Sequence, residues 1–144
     1  MSETQRHVQP RIASSFKRQR IMDTLGAELV EADAGVVSIR LPFNRSHSQQ
    51  DGYVHAGIIS TIADSACGYA ALTLLPESKE VLSIEFKINL LAPAKGEAFV
   101  ARAEVVRQGR TISVCRAEVD ARDGGTETLI ATMTATIFAV DKKG

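Results

Sequence analysis

The apolar residues of this chain follow two different periods, and Pro76 marks where one gives way to the other. Before it, the run 57–75 is apolar or small on nearly every side, with Asp64 as its one charged side chain. A stretch that long without alternation predicts a buried helix over about 56–75, ended by Pro76. After it, Ile84, Phe86, Ile88 and Leu90 alternate with Ser83, Glu85, Lys87 and Asn89, which is strand period. Alternation resumes over 97–107, where Phe99, Ala101, Ala103 and Val105 oppose Val100, Arg102, Glu104 and Val106. Further strands are predicted over 111–121 and 127–140. The breaks between them are turn signals: "LAPAKGE", "RQGR" at 107–110, and the Asp-Gly of "RDGGTE".

Upstream, Phe16, Ile21, Met22 and Leu25 form an apolar stripe between a serine start and Gly26. This predicts a short amphipathic helix over 14–26, whose polar face carries Lys17, Arg18 and Arg20. Two strands follow, 27–32 and 36–43, separated by the turn "DAG". Residues 44–53 are a polar loop. Residues 1–13 are predicted to be a loose segment ahead of a single domain spanning 14–141.

The order is helix, two strands, one long apolar helix, four strands. A helix that is apolar nearly all round must be covered widely. The economical cover is a curved antiparallel sheet wrapped around it, an α+β fold. Short turns make the last four strands expected antiparallel neighbours.

Composition narrows the partners. The chain has 144 residues, one domain's worth, and 44% of them are apolar. Lys plus Arg and Asp plus Glu both number 17, so the formal charge is zero. That argues against broad contact with a phosphate backbone, and the basic runs are too poor in aromatics for a nucleic-acid site. The two cysteines, Cys67 and Cys115, form no disulfide framework and fit a reducing, cytoplasmic compartment. The first 25 residues lack the apolar core of a secretion signal. The 57–75 run barely reaches spanning length and carries Asp64 and several hydroxyls, so no membrane association is expected.

Asp64 is the chemical signal. A carboxylate in an apolar helix needs a partner or a task. The bland reading is a rim position hydrogen-bonded to a Ser or Thr. The start of the helix, "VHAG", offers a different one. Free N–H groups and the positive end of the dipole stabilise an oxyanion there. Ala56 and Gly57 are small enough for a substrate to approach. Asp64 would then act as general base or nucleophile in acyl transfer. Ala56 and Asp64 are eight positions apart, roughly 12 Å along a helix axis. If both serve one carbonyl, they must come from two copies of the chain, so a homodimer with its site across the interface is expected.

The segments "HAGIISTIAD", "VLSIEFKINLLAPAKG" and "VVRQGRTISV" occur in this order at a particular spacing. In them the chain resembles hotdog-fold acyl-CoA thioesterases of the PaaI and 4-hydroxybenzoyl-CoA thioesterase type, including the thioesterase superfamily member 2 group. The resemblance covers roughly residues 24–140. It implies a hotdog fold and hydrolysis of an acyl-CoA to free acid and CoA. It gives Asp64 the role of base or nucleophile and the Ala56 N–H that of carbonyl polariser, with Ala56 and Gly57 standing where the family has Gly-Gly. Gln49 falls on a second carbonyl or water contact, and Ser83 on a residue that orients water beside the carboxylate. His55 takes a mainly structural role. Gln49 and Ala56 would come from one subunit, Asp64 and Ser83 from the other. Arg107, Gln108, Gly109, Arg110 and Thr111 fall where the family holds CoA, with Glu85 and Leu90 as further contacts. No metal or cofactor is implied, since CoA belongs to the substrate. The oligomer is a dimer or a dimer of dimers.

Other readings carry less. A Ser60–His55–Asp64 triad lacks a nucleophile elbow, and His47, Asp51 and His55 lack metal-ligand spacing. Cys67 lies near a carboxylate, which disfavours its thiolate. Within the same fold the alternatives are a hydratase or dehydratase and a non-catalytic acyl-CoA-binding module. Tyr53, Tyr69 and the apolar strand faces admit either an aryl or a medium-length acyl group.

Overall fold

The computed structural model describes residues 7–143. Its elements are α1 (Pro10–Arg18), α2 (Arg20–Leu25), β1 (Glu28–Asp33), β2 (Val36–Pro42), a 3-10 turn (Arg45–His47), α3 (Ala56–Leu72), β3 (Lys79–Leu90), β4 (Ala98–Gln108), β5 (Ile112–Asp123) and β6 (Thr126–Asp141). The strands form one antiparallel sheet in the order β1-β2-β4-β5-β6-β3, and α3 lies against it. This is the expected α+β architecture.

The sheet can close on α3 because many of its inward positions are alanines. Ala101, Ala103, Ala117, Ala121, Ala131 and Ala135 are all buried there, opposite Ile59, Ile62, Ala63 and Ala66 of the helix. Register shifts at Leu29/Glu31, Ser83/Glu85, Val105/Arg107 and Val119/Asp120 add bend. Phe99 is fully buried in the same core. Truncating a residue of this kind costs about 3–5 kcal/mol.

Four sequence expectations change. The predicted helix over 14–26 is two helices, starting at Pro10 and broken at Gln19, whose ψ of 95° is extended. Pro10 opens α1 because its fixed φ suits the first helical turn. The loose segment predicted over 1–13 is corrected from residue 7 onward, while residues 1–6 lie outside the described residues. Val8 bridges to Ala32 and Ile12 is fully buried, because this polar stretch carries two apolar anchors. Arg11 adds three bonds to the carbonyls of Leu75, Pro76 and Lys79.

The helix predicted over 56–75 ends at Leu72. Thr73 Oγ1 donates to the Ala70 carbonyl and accepts from Gly35 N–H, turning the chain before Pro76. Finally, β3 pairs with β6 and not with β4. The β3–β4 connection, 91–97, is too long for a tight hairpin and crosses the end of the sheet. β3 is therefore an edge strand.

The two edges differ. The outer side of β1 is occupied by residues 7–9: Gln9 N–H donates to the Ala32 carbonyl and Ala32 N–H to the His7 carbonyl. The outer side of β3 has no partner strand among the described residues. It is twelve residues long and exposes Leu82, Ile84 and Phe86. Among the described residues no helix is long and apolar enough to cross a membrane.

Candidate active site

The start of α3 is shaped by His55. Its backbone is extended (φ −60°, ψ 138°), and its Nδ1 accepts from Gly57 N–H at 2.8 Å. Accepting there puts the imidazole proton of a neutral ring on Nε2. The His55 carbonyl takes the N–H groups of Ile58 and Ile59. Three of the first four helix donors are thus used. The Ala56 N–H is the remaining one, with no partner among the described residues. A methyl on Gly57 would meet His55 Nδ1 at 3.0 Å, so the glycine makes room for the cap.

Ala56 opens into a cavity of about 610 Å³, with Gln49, Tyr53, Leu90 and Ile130 in its wall. The Gln49 side chain holds its own turn: Oε1 accepts from the N–H groups of Asp51 (2.6 Å) and Tyr53 (3.3 Å). This leaves Nε2 without a partner among the described residues. His55 N–H donates to the His47 carbonyl and Val54 N–H to that of Ala94, anchoring the loop beneath.

Asp64 sits two turns further along α3, half-buried, in the wall of a second cavity of about 400 Å³. The Ser83 hydroxyl donates to its Oδ1 at 2.6 Å. Ser83 reaches it because of a bulge: Ser83 pairs with Ile137 and Glu85 with Thr136, leaving Ile84 as the extra residue. Bulges re-aim side chains in this way. Asp64 Oδ2 has no partner among the described residues. The carboxylate is therefore hydrogen-bonded to a Ser and also lines a cavity.

The same cavity holds a group that sequence reasoning missed. Ser65 Oγ donates to Gln19 Oε1 at 2.9 Å, and Gln19 Nε2 donates to Tyr69 Oη at 2.8 Å. Tyr69 Oη and Ser15 Oγ are 3.1 Å apart. Gln19 arrives through the break between α1 and α2, for which the sequence holds no Pro or Gly signal.

Within one chain the structure brings Asp64 to Ser83 and Ala56 to Gln49, Gly57 and His55, but it keeps the two groups in separate cavities. Leu90 joins the Ala56 cavity. Glu85 is exposed on β3 beyond the bulge. The 107–111 segment lies at the far, C-terminal end of α3. There Gln108 Nε2 donates to the Leu74 carbonyl, and Gly109 N–H donates to the Ile112 carbonyl. A methyl on Gly109 would fall 2.4 Å from that carbonyl oxygen. Gln108 and Gly109 thus have structural work in the β4–β5 turn. Arg107, Arg110 and Thr111 are exposed beside them. Burial pushes the Cys115 thiol up to about 11 and the Cys67 thiol higher still, so neither offers a thiolate near neutrality.

The chain and its fold have counterparts. The family model described as Thioesterase superfamily matches residues 51–128. A solved structure of a thioesterase family protein from Silicibacter pomeroyi is 49% identical, with a TM-score of 0.90, and the match covers 92% of this chain and 97% of that one. A relative from Halobacterium salinarum is 33% identical over 104 residues, 69% of this chain and 68% of its own. Acyl-coenzyme A thioesterase 13 of Homo sapiens is 27% identical over 132 residues, 91% of each chain.

Proposed function

We propose that this chain, which belongs to the thioesterase superfamily and is a thioester hydrolase, cleaves an acyl-CoA to a free acid and CoA in a site shared by two copies of itself. The observation that carries the reading is that one helix carries two incomplete halves of a site. One half is a carboxylate held by Ser83 beside a cavity. The other is an unpartnered N–H at the start of the same helix, roughly 12 Å away along its axis. Both must approach one carbonyl to within about 3–3.5 Å. A two-fold dimer lets each half meet its complement. The open β3 edge, with its exposed Leu82, Ile84 and Phe86, is a surface suited to such pairing.

In this site the thioester oxygen accepts from Ala56 N–H, and Gln49 Nε2 supplies a second donor. The Ser83 bond fixes Asp64 so that Oδ2 faces the substrate. Asp64 takes a proton from water as the water oxygen bonds to the acyl carbon; direct attack by the carboxylate followed by hydrolysis gives the same products. The negative charge on the carbonyl oxygen is stabilised by the two donors. When the C–S bond breaks, the thiolate leaves with CoA and is protonated. Arg107 and Arg110 supply positive charge for the CoA phosphates, with Thr111 and Glu85 beside the path of the arm.

A thiol-release assay over aryl- and alkyl-CoAs tests this. Asp64→Asn is expected to lose kcat by about 10²–10⁴-fold. Near-normal turnover by a folded Asp64→Asn protein rejects the role. Binding of CoA esters without thiol release from the wild type identifies a non-catalytic module instead.

A further inference from the structure

Two hollows of the structure share a wall. Ser15, Arg18, Leu72 and Glu80 stand in the lining of the Asp64 cavity, and the same four residues line a recess of about 210 Å³ beside α1. Arg11, Ser14, Glu77 and Lys142 complete the recess. Ser14, Glu77 and Lys142 are exposed, so the recess opens at the surface. The four shared residues form the neck between that opening and the Asp64 cavity.

The neck is held less firmly than the walls on either side. In the Asp64 cavity, Gln19 is bonded to both Ser65 and Tyr69. In the recess, Arg11 is committed to three backbone carbonyls. Arg18 of α1 and Glu80 of β3 reach the neck from opposite elements, and no ion pair joins them. The Arg18 side chain has one hydrogen bond, to Ser14 Oγ of its own helix at 3.2 Å. The Glu80 carboxylate has none among the described residues. Both side chains can therefore swing aside by rotamer changes, which are fast at exposed positions. Leu72, 1% exposed, gives the neck an apolar side.

The proposed chemistry gives this neck a use. The thioester is cleaved at Asp64, so the acyl group lies in that cavity and the CoA arm fills the way it came in. Once the C–S bond breaks, the acid lies behind CoA. It leaves as a carboxylate, a charge that is costly to carry past apolar surface alone. Arg18 and Lys142 offset that charge along the recess, and Glu77 and Glu80 keep the anion from being retained there.

We infer that the recess is an exit for the acid product, separate from the route of CoA, with Arg18 and Glu80 as its gate. This rests on the hydrolase reading above and adds the path by which one product leaves that same site. Product release sets kcat in many enzymes, so the gate acts on turnover without touching the reacting atoms.

The test ties the two sides of the neck together. Arg18→Cys and Glu80→Cys in one chain are joined by a short bis-methanethiosulfonate linker, which a reductant releases. Cys67 and Cys115 are fully buried and stay out of that reaction. Cleavage of octanoyl-CoA and benzoyl-CoA is followed after rapid mixing by loss of the thioester absorbance. The linked protein is expected to cleave one equivalent per site at the rate of the unlinked protein, then to turn over about tenfold more slowly. Reduction is expected to restore the steady rate. If the double variant fails to fold in a thermal melt, Glu80→Trp, which fills the neck, replaces it and is expected to give the same burst. Unchanged steady turnover by the blocked protein overturns the exit, because the acid then leaves another way. A slowed first turnover also overturns it, because the recess then admits substrate or the substitutions have disturbed the site itself. No cleavage of either ester by the wild type overturns the hydrolase reading and the exit with it.

Discussion

The Ser83 hydroxyl donates to Asp64 Oδ1 at 2.6 Å, joining the edge strand β3 to the middle of α3. The bond exists only because the chain gains a residue at Ile84. It holds one carboxylate oxygen and leaves the other without a partner among the described residues. Ser83→Ala is expected to lower kcat by about tenfold, the effect of one hydrogen bond to a charged group, with the melting temperature nearly unchanged. Steady-state kinetics beside a melt decides it. An effect confined to KM contradicts an orienting role.

His55 caps α3 through Nδ1 and Gly57 N–H. His55→Ala should therefore destabilise the protein by about 0.5–2 kcal/mol. Asparagine is a good cap at the same position. His55→Asn is expected to restore both stability and most of the activity. If His55→Asn melts normally but is inactive, His55 moves a proton and its structural role is incomplete.

The β3 edge predicts the assembly. Phe86 is exposed on a strand whose outer side has no partner among the described residues, and a lysine there is a common way to block edge pairing. Phe86→Lys should shift the protein to monomer on size exclusion and abolish turnover while circular dichroism stays native. An active monomer sinks the shared site.

Acid stability follows from three exposed carboxylates. The Gln9 side-chain amide holds Asp33 below the usual range, opposed by partial desolvation and helped by His7. Arg116 does the same for Glu104 and Lys79 for Asp141. Groups with lowered folded values stabilise the fold above their unfolded values, and that contribution fades as pH falls toward the folded ones. The melting temperature is expected to be flat between about pH 5 and 7 and to fall below about pH 4. Gln9→Ala should make that fall shallower. A melting curve insensitive to Gln9 at every pH contradicts the account.

Much of this architecture can be read in the chain before folding. The long helix and the lone charge within it are visible in the run around Asp64, and the strands in their period of two. What period cannot express is which strand lies beside which, so the place of β3 at the edge depends on pairing across the whole chain. The Asp64–Ser83 contact was anticipated through family resemblance alone, since it needs a bulge that no residue type announces. Gln19 was hidden for a similar reason: α1 breaks there without Pro or Gly, under the pull of tertiary contacts to Ser65 and Tyr69. The docking of residues 7–13 was masked by their polar average, although Val8, Pro10 and Ile12 carried the signal.

Complementation between two inactive variants tests the shared site most directly. Ala56→Pro removes the N–H that has no partner among the described residues, at a first helical position where proline is favoured, and the extended backbone of His55 accepts a following proline. Asp64→Asn removes the carboxylate. Each variant alone should be nearly inactive. Unfolded and refolded together in equal amounts, they form mixed dimers in which one of the two sites has both groups intact, and about a quarter of wild-type turnover should return. If the mixture stays as inactive as its components while mixed dimers are present, the two groups do not act on a common substrate.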